Sequence, residues 1–190
     1  MKARDNPFST DRVLRVRYRL TDMTWPQLLS RLESFDYRAA IVGPNGSGKT
    51  TLLEDLEPFL VGKGFRPRRV RLDEEHSTLD RAAPRELTAV LTSRDVIFFD
   101  GAEQLGWFAW HRFRAETRRA GGLIITLHRP ARLPTLVECR TSAALLAGIV
   151  SQLLPGPPEV LPLPELYQRH GGNLRGALRE LYDVFALAKI

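Results

Sequence analysis

The stretch Gly43-Pro44-Asn45-Gly46-Ser47-Gly48-Lys49-Thr50 limits what this chain can be more than any other part of it. It is entered through the apolar run Ala39-Ala40-Ile41-Val42 and followed by Thr51-Leu52-Leu53. The pattern G-x-x-x-x-G-K-[ST] fits a phosphate cradle. Its glycines let backbone N–H groups close on phosphate oxygens, its lysine brings charge to the β and γ phosphates, and its hydroxyl holds Mg²⁺. A helix starting at the loop aims its N-terminus at the same anion. Gly43, Pro44, Asn45, Gly46, Ser47, Gly48, Lys49, Thr50 and Thr51 are therefore the candidate nucleotide-binding residues, with a Gly-rich turn carrying an incidental lysine as the plain alternative.

A chain of 190 residues is long enough for one well-buried core and short for two. No apolar run reaches the length of a membrane span, and the polar segment Met1 to Asp11 does not read as a signal peptide. Cys139 is the single cysteine, which excludes an intramolecular disulfide and, beside a nucleotide loop, points to a reducing cytoplasm. The net charge of +6 comes from arginine, with only four lysines in the chain. One of those four stands where the loop requires it. The remaining basic excess is spread along the chain and reads either as a solvated surface or as a face able to meet nucleic acid.

Taken in order, Arg12 to Leu20 alternates Arg15, Arg17 and Arg19 with Val16, Tyr18 and Leu20, the period of a half-exposed strand. Thr24 and Pro26 then open a helix to about Phe35. Tyr37 to Val42 reads as a buried strand and Gly48 to about Val61 as a helix stopped by Gly62-Lys63-Gly64. Pro67 to Leu72 reads as a second strand, ending in Asp73-Glu74-Glu75-His76, and Pro84 to Thr92 as a short helix. Either Tyr18 or Tyr37 is a candidate to stack on a base, with core packing favoured for both.

Val96-Ile97-Phe98-Phe99 ends in Asp100, the Walker B pattern, in which the aspartate holds Mg²⁺ together with Thr50. Trp107 to Arg119 reads as a helix whose Trp107, Trp110 and Phe113 form an apolar stripe. Its arginines interleave with aromatics, which leaves a partner surface open. Leu123-Ile124-Ile125 makes a further buried strand, followed by Thr126 and His128, and Leu136 to Cys139 a fifth, with a helix over about Ser142 to Leu154. Pro155-Gly156-Pro157-Pro158 reads as a linker. A short helix over Leu163 to His170 follows, and a final amphipathic helix is capped by Asn173. The expected divisions are residues 1–36 as a strand and helix extension, 37–154 as the nucleotide core and 155–190 as linker and helical lid.

The loop resembles those of the P-loop NTPase superfamily, and residue by residue is similar to those of ATP-binding-cassette ATPases. The chain lacks their glutamine-loop segment and Leu-Ser-Gly-Gly-Gln signature, while Thr126-Leu127-His128 resembles their switch histidine. Over residues 37 to 188 the chain resembles the branch with an extra strand between Walker A and Walker B, particularly AAA+ and related regulatory ATPases. Gly172-Asn173-Leu174-Arg175 resembles the opening of their lid helix, which makes Arg175 the sensor arginine. The resemblance implies a three-layer α/β/α fold with a parallel five-stranded core sheet and a small C-terminal helical appendage.

It also implies a Mg²⁺-dependent ATPase that drives or regulates a protein partner, or self-associates. Lys49, Asp100, Thr126, His128 and Arg175 would then surround the reacting phosphates, with Thr50 and Asp100 on the metal. Such ATPases commonly carry a glutamate directly after the Walker B aspartate; here that position is Gly101. Glu103 is the first candidate to orient water, with Glu74 or Glu75 as alternatives. A nucleotide-binding switch with little hydrolysis, and a small-molecule kinase, are the competing functions.

Overall fold

The computed structural model describes residues 5–72, 90–154 and 161–187. Among them the elements run α1 (Thr10–Val13), α2 (Trp25–Ser34), β1 (Arg38–Val42), α3 (Lys49–Gly62), β2 (Arg66–Arg71) and β3 (Asp95–Asp100). They continue with α4 (Trp107–Glu116), β4 (Gly122–Leu127), β5 (Thr135–Glu138), α5 (Ala143–Leu153), α6 (Leu163–Arg169) and α7 (Leu174–Leu187), with short 3-10 turns at Ala102–Gln104 and Thr117–Arg119. The fold is α/β, and all strand pairings are parallel, in the order β2-β3-β4-β1-β5. No helix among the described residues is long and apolar enough to cross a membrane.

The chain divides into two compact units. Of the described residues, one takes in those up to Tyr18, those of Pro44–Thr51 and those from Cys139 onward; the other takes in those of Arg19–Gly43 and Leu52–Glu138. These boundaries cross those read from the sequence: α2 falls with the sheet, and the N-terminal segment falls with the C-terminal helices.

The sheet unit is built by strand burial. β3 has five buried residues before Asp100, and β4 is buried from end to end. Strands covered on both faces read as continuous apolar runs, because helices leave neither face to water, and this is the pattern of a three-layer α/β/α sheet. Phe98, Phe99, Ile97, Ile124 and Ile125 are all essentially inaccessible, and full burial of each such side chain is worth about 1.5–3 kcal/mol. The edge strand β2 has four arginines and Pro67 in six residues and is mostly exposed, a composition that discourages further strand addition. At its amino end the buried Asp95 carboxylate accepts from the Thr92 amide and hydroxyl, both at 2.7 Å, and from Arg66 and Arg68. α2 starts with a capping box: the Thr24 hydroxyl accepts from the Gln27 amide, and the Gln27 side chain accepts from the Thr24 amide.

The other unit packs Phe8 with Leu146, Val150, Leu163, Leu166, Ala177, Leu178 and Leu181 of α5, α6 and α7. Asn6 fixes the N-terminal segment to the last helix by donating its side-chain amide to the Tyr182 carbonyl at 2.9 Å.

Three sequence expectations change. Arg12 to Leu20 is not a strand: α1 ends within it, and Arg12, Val13, Leu14, Arg15 and Val16 satisfy their amides on carbonyls three or four residues back. Val13 and Val16, three residues apart, both pack on the helical core, so the local spacing wins over the alternation. In α4, Trp110 and Phe113 are buried but Trp107 is exposed, because the helix begins at Trp107 and its inner face starts a turn later. Of the expected helix Pro84 to Thr92, residues 84–89 lie outside the described residues, and 90–92 form a turn and irregular chain. The acidic cluster Asp73-Glu74-Glu75-His76 and the linker Pro155-Gly156-Pro157-Pro158 also lie outside the described residues.

Candidate functional site

The residues singled out in the sequence divide between the two units. The loop belongs to the unit that carries α7. Gly46 and Gly48 adopt φ of 71° and 86°, the left-handed region that side chains with a Cβ avoid. The turn is closed by the Ser47 amide on the Pro44 carbonyl at 3.3 Å, and the Lys49 ammonium donates to the same carbonyl at 2.9 Å. Lys49 is only 8 % exposed, which is rare for a lysine. The Ser47 hydroxyl is buried and has no partner.

Two neighbours press on the glycines. A Cβ at Gly46 would lie 1.9 Å from Asn173 Oδ1 and 3.1 Å from the Arg175 amide nitrogen; one at Gly48 would lie 3.1 Å from the Tyr18 ring. Asn173 Oδ1 accepts from the Gly176 amide at 3.0 Å, the N-cap bond of α7. The segment Asn173–Arg175 thus lies against the loop, with the Arg175 side chain exposed. Of the two tyrosine candidates, Tyr18 is the one beside the loop. Tyr37 packs edge-on against Phe65 and donates its hydroxyl to Glu33. Burial pushes the Cys139 thiol pKa up, opposed by a hydrogen bond with Tyr18 and by the charge of Lys49.

The sheet unit places Asp100 and Thr126 at neighbouring strand ends, since β3 and β4 pair in register up to Phe99 and Ile125. The Thr126 hydroxyl donates to Asp100 Oδ1 at 2.7 Å and accepts from the Gly101 amide at 2.9 Å. Thr126 is fully buried, so its hydroxyl is committed to holding the carboxyl end of β3.

Gly101 itself explains the missing glutamate. It has φ of 86°, and a Cβ there would lie 2.3 Å from the Leu72 carbonyl oxygen, where the end of β2 closes on β3 through the Leu72 amide and the Asp100 carbonyl. No side chain fits.

The acid comes two residues later. Glu103 sits in the 3-10 turn Ala102–Gln104, with Oε1 3.1 Å from His128 Nε2 and Oε2 buried without a partner. Arg132 holds that turn by donating to the carbonyls of Ala102 (2.7 Å) and Leu105 while its guanidinium lies 5.0 Å over the Trp110 ring. Burial lowers the Arg132 pKa, with Glu103 opposing. Nothing in the sequence sets Arg132 apart among so many arginines. Thr126 was visible as a polar residue ending a buried strand, but its partner was not.

The chemistry of the donors suits a nucleotide and its metal. Glycine amides and a buried ammonium suit phosphate oxygens, and a hydroxyl such as that of Thr50 or a carboxylate such as that of Asp100, each in its own unit, is the kind of hard oxygen Mg²⁺ takes. Among the described residues, no group of three or more His, Cys, Asp and Glu side chains could hold a metal ion. No protein-family model matches the chain, and no curated protein matches it.

Proposed function

We propose that this chain binds MgATP through Gly43–Thr51 and hydrolyses it to ADP and phosphate. The observation that carries the reading is the loop's own conformation. Two left-handed glycines, a nearly buried lysine turned back over the Pro44 carbonyl and an unpartnered Ser47 hydroxyl make a cradle of a kind that suits an anion. In this reading Lys49 binds the β and γ phosphates, and Thr50 and Asp100 hold Mg²⁺, which supplies charge neutralisation at the transferring phosphoryl group. Thr126 keeps Asp100 aimed.

Glu103 accepts a proton from the attacking water at Oε2, its one free acceptor, while His128 fixes the other oxygen. His128 and Arg175 are assigned to sensing the γ-phosphate. The reading as a regulatory P-loop ATPase of the additional-strand branch, serving a protein partner or a second copy in the cytoplasm, rests on the sequence motifs.

A second reading, a nucleotide-operated switch with little turnover, is favoured by Gly101, whose cramped backbone leaves no room for a glutamate beside Asp100. Phosphate release from ATP by the purified chain, with no acceptor added, separates the two. Release lost in Lys49→Ala and in Glu103→Gln supports hydrolysis. Tight ATP binding without release supports the switch, and ADP formed only with an added acceptor points to a kinase. Unchanged nucleotide affinity in Lys49→Ala overturns the loop assignment.

A further inference from the structure

Trp107 and Phe108 open α4 with 66 % and 83 % of their surfaces in solvent, although Trp110 and Phe113 on the same helix are buried. Burial stabilises rings of this size, so two adjacent ones left in water on one face mark a place where something else packs. The rings sit edge to face, with centroids 4.9 Å apart, and His111 steadies Trp107 from one turn on, at 4.3 Å.

Apart from Glu116, the charges on the same face have one sign. Exposed positions recur along two rows at helical spacing, Trp107 with Arg114 and Arg118, and Phe108 with Arg112 and Arg119, continuing from α4 into the 3-10 turn that follows. Arg112 is answered by Glu116 at 3.6 Å. Among the described residues, Arg114, Arg118 and Arg119 have no carboxylate partner.

We propose that this face of α4 binds single-stranded nucleic acid, with bases stacked on Trp107 and Phe108 and phosphates held by Arg114, Arg118 and Arg119. Rings beside guanidinium groups match a polymer that offers a π face and a negative charge in every repeat. A duplex offers the charge but keeps its bases stacked inside, out of reach of the rings. An acidic protein segment offers the charge without repeated flat faces. The proposal is independent of the ATPase reading, since none of these side chains belongs to the loop or to the acidic strand end.

Fluorescence anisotropy with labelled oligo(dT) and oligo(U), each about twenty nucleotides long, tests it, with a duplex of the same length as the comparison. The wild-type chain is expected to bind the single strands at low salt, with quenching of tryptophan emission, and to bind the duplex more weakly. Trp107→Ala/Phe108→Ala is expected to weaken single-strand binding about tenfold or more with the salt dependence unchanged, and Trp107→Phe is expected to retain most of it. Arg114→Gln/Arg118→Gln/Arg119→Gln is expected to flatten the slope of log affinity against log salt by about two. All these side chains are exposed, so melting temperature and nucleotide binding should match the wild type, which separates this idea from the loop assignment. No binding at low salt, duplex binding as tight as single-strand binding, or affinity unmoved by loss of both rings overturns the proposal.

Discussion

The Thr126 hydroxyl donates to Asp100 Oδ1 at 2.7 Å and accepts from the Gly101 amide at 2.9 Å, so one buried side chain fixes both the end of β3 and the turn after it. Thr126→Val removes the donor and the acceptor together while keeping the shape. A buried group left unpaired costs about 1–3 kcal/mol, and urea unfolding should show a loss of that size. Thr126→Ser should recover most of it. If Asp100 holds Mg²⁺ as proposed, the Mg²⁺ dependence of ATP affinity weakens in Thr126→Val and returns in Thr126→Ser.

Gly101 is set by the end of β2. Its φ of 86° and the 2.3 Å approach of the Leu72 carbonyl oxygen to a Cβ act together. Gly101→Ala should therefore cost about 2 kcal/mol or more in unfolding free energy, because the added methyl meets backbone and no flexible side chain can move aside. Gly101→Glu, which restores the glutamate found at this position in the ATPases the chain resembles, should lower stability at least as much and fail to raise phosphate release. A stable, faster Gly101→Glu protein would show that the turn relaxes.

Glu103→Gln keeps the size of the side chain and removes the proton acceptor. Single-turnover phosphate release should fall by about a hundredfold or more while ATP affinity stays within about twofold. His128→Ala frees Glu103 Oε1 from its 3.1 Å contact and should produce a smaller loss of rate, since the acid remains but is no longer held. Equal affinity losses in both variants would assign them to binding instead.

Gly46→Ala tests the contact between the loop and the start of α7. The methyl would lie 1.9 Å from Asn173 Oδ1 on a backbone already at φ of 71°. Nucleotide affinity and thermal stability should fall together. Gly46→Ala/Asn173→Gly, which removes the opposing side chain and keeps a tolerated N-cap residue, should recover part of the stability but not the strained φ.

Asp95 gives the fold an acid limit. Burial raises its pKa, but the Thr92 hydroxyl and amide, with Arg68 and Arg66, outweigh that and leave it lowered. The folded chain therefore binds this proton less readily than the unfolded chain. The contribution is fully present above the unfolded value of about 3.9 and is lost as pH falls through the lower folded value. Urea midpoints between neutral pH and pH about 3 should fall for the wild type, while Asp95→Asn starts lower and the gap narrows in acid.

How legible the chain was depends on the range of the forces involved. The five strands and most helices were readable because continuous apolar runs, the Thr24 cap and the Gly62-Lys63-Gly64 stop act within a few residues. The alternation of Arg12 to Leu20 misled because it also suits a chain whose Val13 and Val16 fall on one side of a turn. Trp107 misled because periodicity gives the face of a residue but not where along the helix the core ends.

The sequence by itself determined that a strand enters a glycine-rich loop with a lysine and a hydroxyl at its end, and that a buried strand ends in Asp100. Local spacing and backbone sterics decide both. Only the tertiary structure decided that Thr126 serves Asp100, that Leu72 forbids a side chain at Gly101, that Arg132 holds the turn carrying Glu103, and that Asn173 reaches Gly46. Each of these joins residues at least 26 positions apart, as Asp100 and Thr126 are, and more than a hundred apart in the case of Gly46 and Asn173. Hydrogen bonds and steric exclusion at such separations depend on where the strand order and the helix packing bring the chain back, and no local pattern in the residues records that.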